Sequence, residues 1–174
     1  QIILHDAVAL IQPEHATRNL PQNTHPDALH LLGVIAHQAG KHDIAVDYIG
    51  RAIGFNPKVA EYHNNIGEAY RAQGKLEEAV ACYGRALALR PAYAEPHCGL
   101  GMAFYAQGRL EEAMTHYRRA LAIRPRYAEV HNNLGVALKA LGRREEAITH
   151  YRQALALKPA FAEAYNNLGV AFEE

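Results

Sequence analysis

A chain of 174 residues with 49% hydrophobic and 21% charged side chains and no tryptophan has the composition of an alanine-rich helical protein. Its apolar runs fall well short of the roughly 18 residues that span a bilayer, so no membrane insertion is expected. Eighteen basic residues balance eighteen acidic ones, which excludes a general electrostatic pull toward nucleic acid or anionic lipid.

Taken in order, residues 1 to 12, QIILHDAVALIQ, place apolar side chains at helical spacing and stop at Pro13. Residues 1–15 therefore read as the second helix of an incomplete preceding unit. Residues 16–25, ATRNLPQNTH, carry Asn19, Pro21, Asn23 and Thr24 and read as an inserted loop. Joining QPEH directly to PDALHLLG would restore the distance from proline to glycine found later in the chain.

From residue 26 onward one unit repeats. Gly33, Gly67, Gly101, Gly135 and Gly169 stand 34 residues apart, as do Pro57, Pro91, Pro125 and Pro159. Gly40, Gly74, Gly108 and Gly142 keep the same step. A period of about 20 to 50 residues marks a stacked array in which each unit touches only its neighbours. The units run 26–59, 60–93, 94–127 and 128–161, and 162–174 opens a fifth.

The first unit draws its core from Leu29, Leu32, Ile44, Ala45, Ile49 and Ala52 and places Gly50 and Gly54 inside its second helix. In the next three, Gly74, Gly108 and Gly142 end each first helix in the left-handed conformation. Glu77-Glu78, Glu111-Glu112 and Glu145-Glu146 fall in the first turn of each second helix. Arg90, Arg124 and Lys158 close it before a proline, complementing the helix dipole at both ends. Tyr83, Tyr117 and Tyr151 are expected to fill the space between one unit and the next. The fifth segment stops before a second helix, so a chain open at both ends reads as a piece of a longer protein, with apolar faces through which copies can self-associate.

Ile66, Gly67, Tyr70, Ala79, Tyr83 and Pro91 follow the pattern L-G-x2-Y, A-x3-F and a late proline. So do Leu100, Gly101, Phe104, Ala113, Tyr117 and Pro125, then Leu134, Gly135, Leu138, Ala147, Tyr151 and Pro159. Over residues 26–174 the chain therefore resembles the tetratricopeptide repeat family, with His63, His97 and His131 in place of the leading aromatic. The resemblance implies an all-α solenoid, a right-handed superhelix of antiparallel helix pairs whose first helices line a concave groove. The segments HNNIG, HNNLG and YNNLG, with GRREEAITHYRQALALKP, look like the repeats of bacterial O-linked N-acetylglucosamine transferase and SPINDLY-type proteins.

Nothing in the chain argues for catalysis or a cofactor. Gly99-Leu100-Gly101 lacks the third glycine and the preceding strand of a dinucleotide site. No P-loop, nucleophile elbow or H-E-x-x-H occurs, and His63, His97 and His131, one repeat apart, read as packing residues rather than zinc ligands. Cys82 and Cys98 are the only cysteines, at neither a metal-ligand nor a disulfide-scaffold spacing, and as free thiols they favour a reducing compartment such as the cytoplasm.

The informative residues lie on the first-helix face that does not join the core. At helical spacing this face offers Asn64, Asn65, Glu68 and Arg71 in the second repeat, Met102 and Tyr105 in the third, Asn132, Asn133 and Lys139 in the fourth, and Asn166 and Asn167 in the fifth. The resemblance places these eleven residues in the groove. Asn65, Asn133 and Asn167 form an asparagine ladder, interrupted by Gly99 and Leu31, that can grip an extended peptide backbone with one donor and one acceptor per side chain. A clamp for a C-terminal carboxylate, built in one branch of the family from lysine and asparagine, is absent, because His30 and Val34 stand at those positions. The expected function is a non-enzymatic scaffold for a protein or peptide partner. The alternatives are a substrate-recruiting arm of a larger glycosyltransferase and a self-assembling structural protein.

Overall fold

The structure, a computed structural model, describes residues 25–173. Among them are nine helices and no strand: α1 (Pro26–Gln38), α2 (His42–Phe55), α3 (Ala60–Ala72), α4 (Leu76–Leu89), α5 (Ala94–Ala106), α6 (Leu110–Ile123), α7 (Ala128–Ala140), α8 (Arg144–Leu157) and α9 (Ala162–Glu173). The helix expected over 1–15 and the loop over 16–25 lie outside the described residues, apart from His25, whose ring caps α1 by accepting from the Asp27 N–H. No helix among the described residues is long and apolar enough to cross a membrane. The chain divides into two units between Pro91 and Ala92, one carrying α1–α4 and the other α5–α9.

Each first helix ends in the same way. Gly40, Gly74, Gly108 and Gly142 take φ of 74 to 75°, and the next residue returns a 2.9 Å hydrogen bond to the helix, from Lys75 N–H to Tyr70 O in the second repeat. This six-to-one closure satisfies carbonyls that the helix itself leaves unpaired and requires a residue without a Cβ at the left-handed position. The second helix then starts at once and packs antiparallel on the first.

In the first unit α1–α4 enclose a core of Leu29, Leu32, Ala36, Ala45, Tyr48, Ile49, Ala52, Tyr62, Ile66 and Ala69. Tyr48 and Tyr62 add the bulk that Ala36 withholds. Burial first, then a hydrogen bond to Asp27, pushes the Tyr62 phenol up to about 12. In the second unit Leu100, Phe104, Met114, Tyr117, Val130, Leu134, Leu138, Ile148 and Tyr151 are buried.

The repeated tyrosines pack on glycines of their own repeats. Each ring lies against the glycine of its own repeat, Tyr83 on Gly67, Tyr117 on Gly101 and Tyr151 on Gly135. The glycine opens the space, and the ring fills the gap between two helices of one repeat.

The basic residues that close the second helices also have a further task. Arg90 pairs with Glu61, Arg124 with Glu95, and Lys158 with Glu129 at 2.8 Å, each across 29 residues. These three first-helix glutamates are thus each matched by the base that ends the same repeat. These pairs are largely exposed, so each contributes less than about 1 kcal/mol.

Candidate surface on the first helices

In the first unit the face opposite the core is built by α1 and α3. Asn64 is 6% exposed and donates through Nδ2 to Asn65 Oδ1 at 3.0 Å. Asn65, half-buried, donates in turn to His30 Nε2 at 2.8 Å. The amide nitrogen can only donate, so His30 carries its hydrogen on Nδ1, and burial, outweighing Asp27 and Glu61, holds its pKa below the ordinary histidine value.

One turn further along α3, Glu68 accepts from the Tyr83 hydroxyl at 2.6 Å and from Arg71 Nη2 at 2.7 Å. Burial, reinforced by Glu68, pushes the Tyr83 phenol far up, so it stays a donor. Arg71 is half-buried and its Nε has no partner among the described residues. This unit therefore presents a polar face whose side chains mostly hold one another.

The second unit presents a different face, built by α5, α7 and α9. Met102 and Val136 are half-buried at equivalent positions, Tyr105 is 36% exposed, Val170 is 44% exposed, and Lys139 is half-buried. Asn132 is fully buried, donates to Glu163 at 2.9 Å and accepts from Asn167 Nδ2 at 2.9 Å. Asn166 is exposed, while Asn133 and Asn167 are half-buried. The face is apolar along its middle, with amides to one side.

The two units share one device. Asn65 reaches His30 and Asn167 reaches Asn132 across the same 35-residue offset, so a ladder amide donates to the repeat before it. At Asn133 the residue at that offset is Cys98, and the Asn133 side chain makes no hydrogen bond among the described residues. The recurrence of asparagine in mid-helix thus has a packing cause at Asn65 and Asn167, and Asn133 alone keeps its amide open. Asn64 and Asn132, named from the sequence as surface residues, are buried: Asn132 ties α7 to α9, while Asn64 donates only to the adjacent Asn65 and its Oδ1 has no partner among the described residues. No group of three or more His, Cys, Asp or Glu side chains among the described residues is arranged to hold a metal ion. Sequence reasoning missed the 35-residue amide bonds, although His30 preceding Asn65 and Asn132 preceding Asn167 were legible signals.

Among solved structures, the chain is similar to MamA, with 26% identity, a TM-score of 0.71, and 81% of this chain and 82% of that one covered. It is also similar to the first TPR of Spaghetti (RPAP3) bound to the HSP90 peptide SRMEEVD, at 27% identity, a TM-score of 0.64, and coverage of 66% and 90%. A thermophilic TPR protein of Thermus thermophilus, TTC0263, shares the fold at 23% identity and a TM-score of 0.77, with 99% and 94% covered. No curated protein matches. The profile described as TPR repeat matches residues 67–108, 101–142 and 137–174, and that described as Tetratricopeptide repeat matches 26–59. With helix pairs at the repeat's step and these matches along its length, the chain belongs to the tetratricopeptide repeat family.

Proposed function

We propose that this protein is a non-enzymatic interaction scaffold that holds an extended peptide on the first-helix face, with α5 and α7 of the second unit as its main contact. The observation that carries this reading is the combination of an unengaged amide at Asn133 with the partly open apolar side chains of Met102, Tyr105 and Val136. Amides match a peptide backbone, and apolar side chains reward burial of the residues between. The peptide-bound relative at 27% identity supports the mode of binding. His30 and Val34 stand where a carboxylate clamp needs lysine and asparagine, so we expect no preference for a free C-terminus.

The test is to select peptides from a displayed random library on the full chain and measure their affinity for variants. Tyr105→Ala combined with Asn133→Ala weakens binding at least about tenfold, the effect of losing one well-buried contact, while Arg152→Ala on the second-helix side does not. Peptides indifferent to the first pair and sensitive to Arg152 overturn the reading. The similarity of the HNNLG segments to O-linked N-acetylglucosamine transferase repeats keeps a substrate-recruiting role as a second form of the same activity, decided by whether a nucleotide-sugar-binding domain is encoded in the same gene. Self-association is favoured by Tyr165 and Phe172 on α9, 55% and 54% exposed. Light scattering on the protein and on Tyr165→Glu checks it, and association unchanged by that substitution refutes it.

A further inference from the structure

The second unit contains two imidazole pairs that the binding surface does not use. His97 of α5 meets His116 of α6, and His131 of α7 meets His150 of α8, each 19 residues on. Their Nδ1 atoms lie 3.2 and 3.1 Å apart, with ring centroids at 5.4 Å in both pairs. At such a distance one Nδ1–H must donate to the other Nδ1, so a pair at rest shares a single hydrogen.

In the second pair the direction is fixed. His131 Nε2 lies 3.0 Å from the Pro125 carbonyl oxygen, which can only accept. His131 therefore carries its hydrogen on Nε2, its Nδ1 is bare, and His150 Nδ1–H is the donor. The second repeat supplies an internal contrast: His63 Nε2 makes the same bond to Pro57 O at 2.8 Å, but the residue 19 positions on is Cys82, and His63 Nδ1 is buried without a partner.

We propose that the pairs His97–His116 and His131–His150 are acid-sensitive latches that fasten the two helices of their repeats while one Nδ1–H is shared between the rings and release them once both rings are protonated. A neutral pair with one added proton keeps the bond, an imidazolium Nδ1–H donating to the neutral ring's Nδ1, but once both rings are protonated that bond is lost and two imidazolium groups face each other. The surroundings compensate little, although a hydrogen bond with Gln153 favours the charged form of His150. Phe104 stacks on His116 at 5.3 Å and Arg119 lies near both rings of the first pair. Arg118 bears on His150. The acids acting on the pairs are Glu112 and Glu146, and both are already gripped, by Arg109 Nε at 2.6 Å and by Arg143 at 2.7 Å.

Burial, then His97 and Arg119, hold His116 at about 4. Burial, then His131 and Arg118, lower His150, and burial and Arg119 lower His97. Histidines of the unfolded chain titrate near 6.5, so His97, His116 and His150 take up protons there before they do in the folded chain. The latches are closed above that value, and stability falls as pH drops from about 6.5 toward 4.

The experiment compares the full chain with His116→Cys/His150→Cys, which copies the arrangement of the second repeat, under reducing conditions. Between about pH 7 and about pH 4.5 the parent melting temperature falls by roughly 10 °C, and the double variant falls by less than half as much. Equal falls overturn the proposal. Hydrogen exchange on the parent alone gives the second measurement, independent of how well the variant folds. Acid lowers the protection of α6 and α8 at least about tenfold more than that of α4. Protection lost first, or equally, from α4 also overturns it.

Discussion

Gly67→Ala destabilises the protein by about 1 to 3 kcal/mol, whereas Gly54→Ala stabilises it by about 0.5 to 1 kcal/mol, although both glycines lie inside helices. Helix propensity alone would make both substitutions favourable. At Gly67 an added Cβ would stand 2.8 Å from Tyr83 Cε1 and 2.9 Å from Cδ1. That ring cannot withdraw, because Tyr83 is fully buried and its hydroxyl is held by Glu68 at 2.6 Å. At Gly54 nothing lies within 4 Å of the added carbon, and the residue is exposed. Thermal melts of the two variants decide the matter, with shifts of roughly 2 to 4 °C per kcal/mol for a chain of this size. Shifts of the same sign at both positions would show that helix propensity, not ring packing, controls the repeat.

The contrast between these glycines also marks what the sequence could reveal. Spacing identified Gly67, Gly101 and Gly135 as one structural position and Gly74, Gly108 and Gly142 as another, because a recurrent glycine needs a recurrent backbone cause. The helix boundaries followed from the same logic, and the all-α arrangement of helix pairs came with them. The partner of each glycine was not legible. A tyrosine at a fixed offset can lie over its own repeat or against the next, and only packing distinguishes the two.

Side-chain pairing was harder still. Glu61, Glu95 and Glu129 have a sufficient local reason in the helix dipole, which concealed their pairing with Arg90, Arg124 and Lys158 across 29 residues. The asparagine ladder shows the opposite case: mid-helix asparagine is a poor helix former and requires a cause, and that cause lies partly inside the protein. Asn65 and Asn167 spend their donors on the preceding repeat, while Asn133, facing Cys98 at that offset, does not. A row of identical residues therefore performs different tasks along its length, according to what stands 35 residues earlier.

Asn132→Ala brings this distinction to a measurable point. It destabilises the second unit by about 1 to 3 kcal/mol, the cost of losing two hydrogen bonds of a fully buried amide, and most of the loss falls on α9. Asn132 is fully buried and serves α9 twice, donating to Glu163 and accepting from Asn167. Alanine removes both bonds and opens a gap at a fully buried position, leaving the exposed Glu163 and the half-buried Asn167 without their partner. Asn166→Ala, at an exposed neighbouring position, changes stability by less than about 0.5 kcal/mol. Asn132→Asp is the sharper variant. It keeps an acceptor for Asn167 but sets a carboxylate where the amide met Glu163 at 2.9 Å, so at neutral pH it is worse than alanine in spite of its closer shape. Hydrogen exchange resolved by helix gives the readout, with protection in α9 falling in the order Asn166→Ala, Asn132→Ala, Asn132→Asp. If the aspartate variant protects α9 better than alanine does, shape rather than hydrogen-bond direction holds the helix, and the amide bridge has no special part in fastening one repeat to the next.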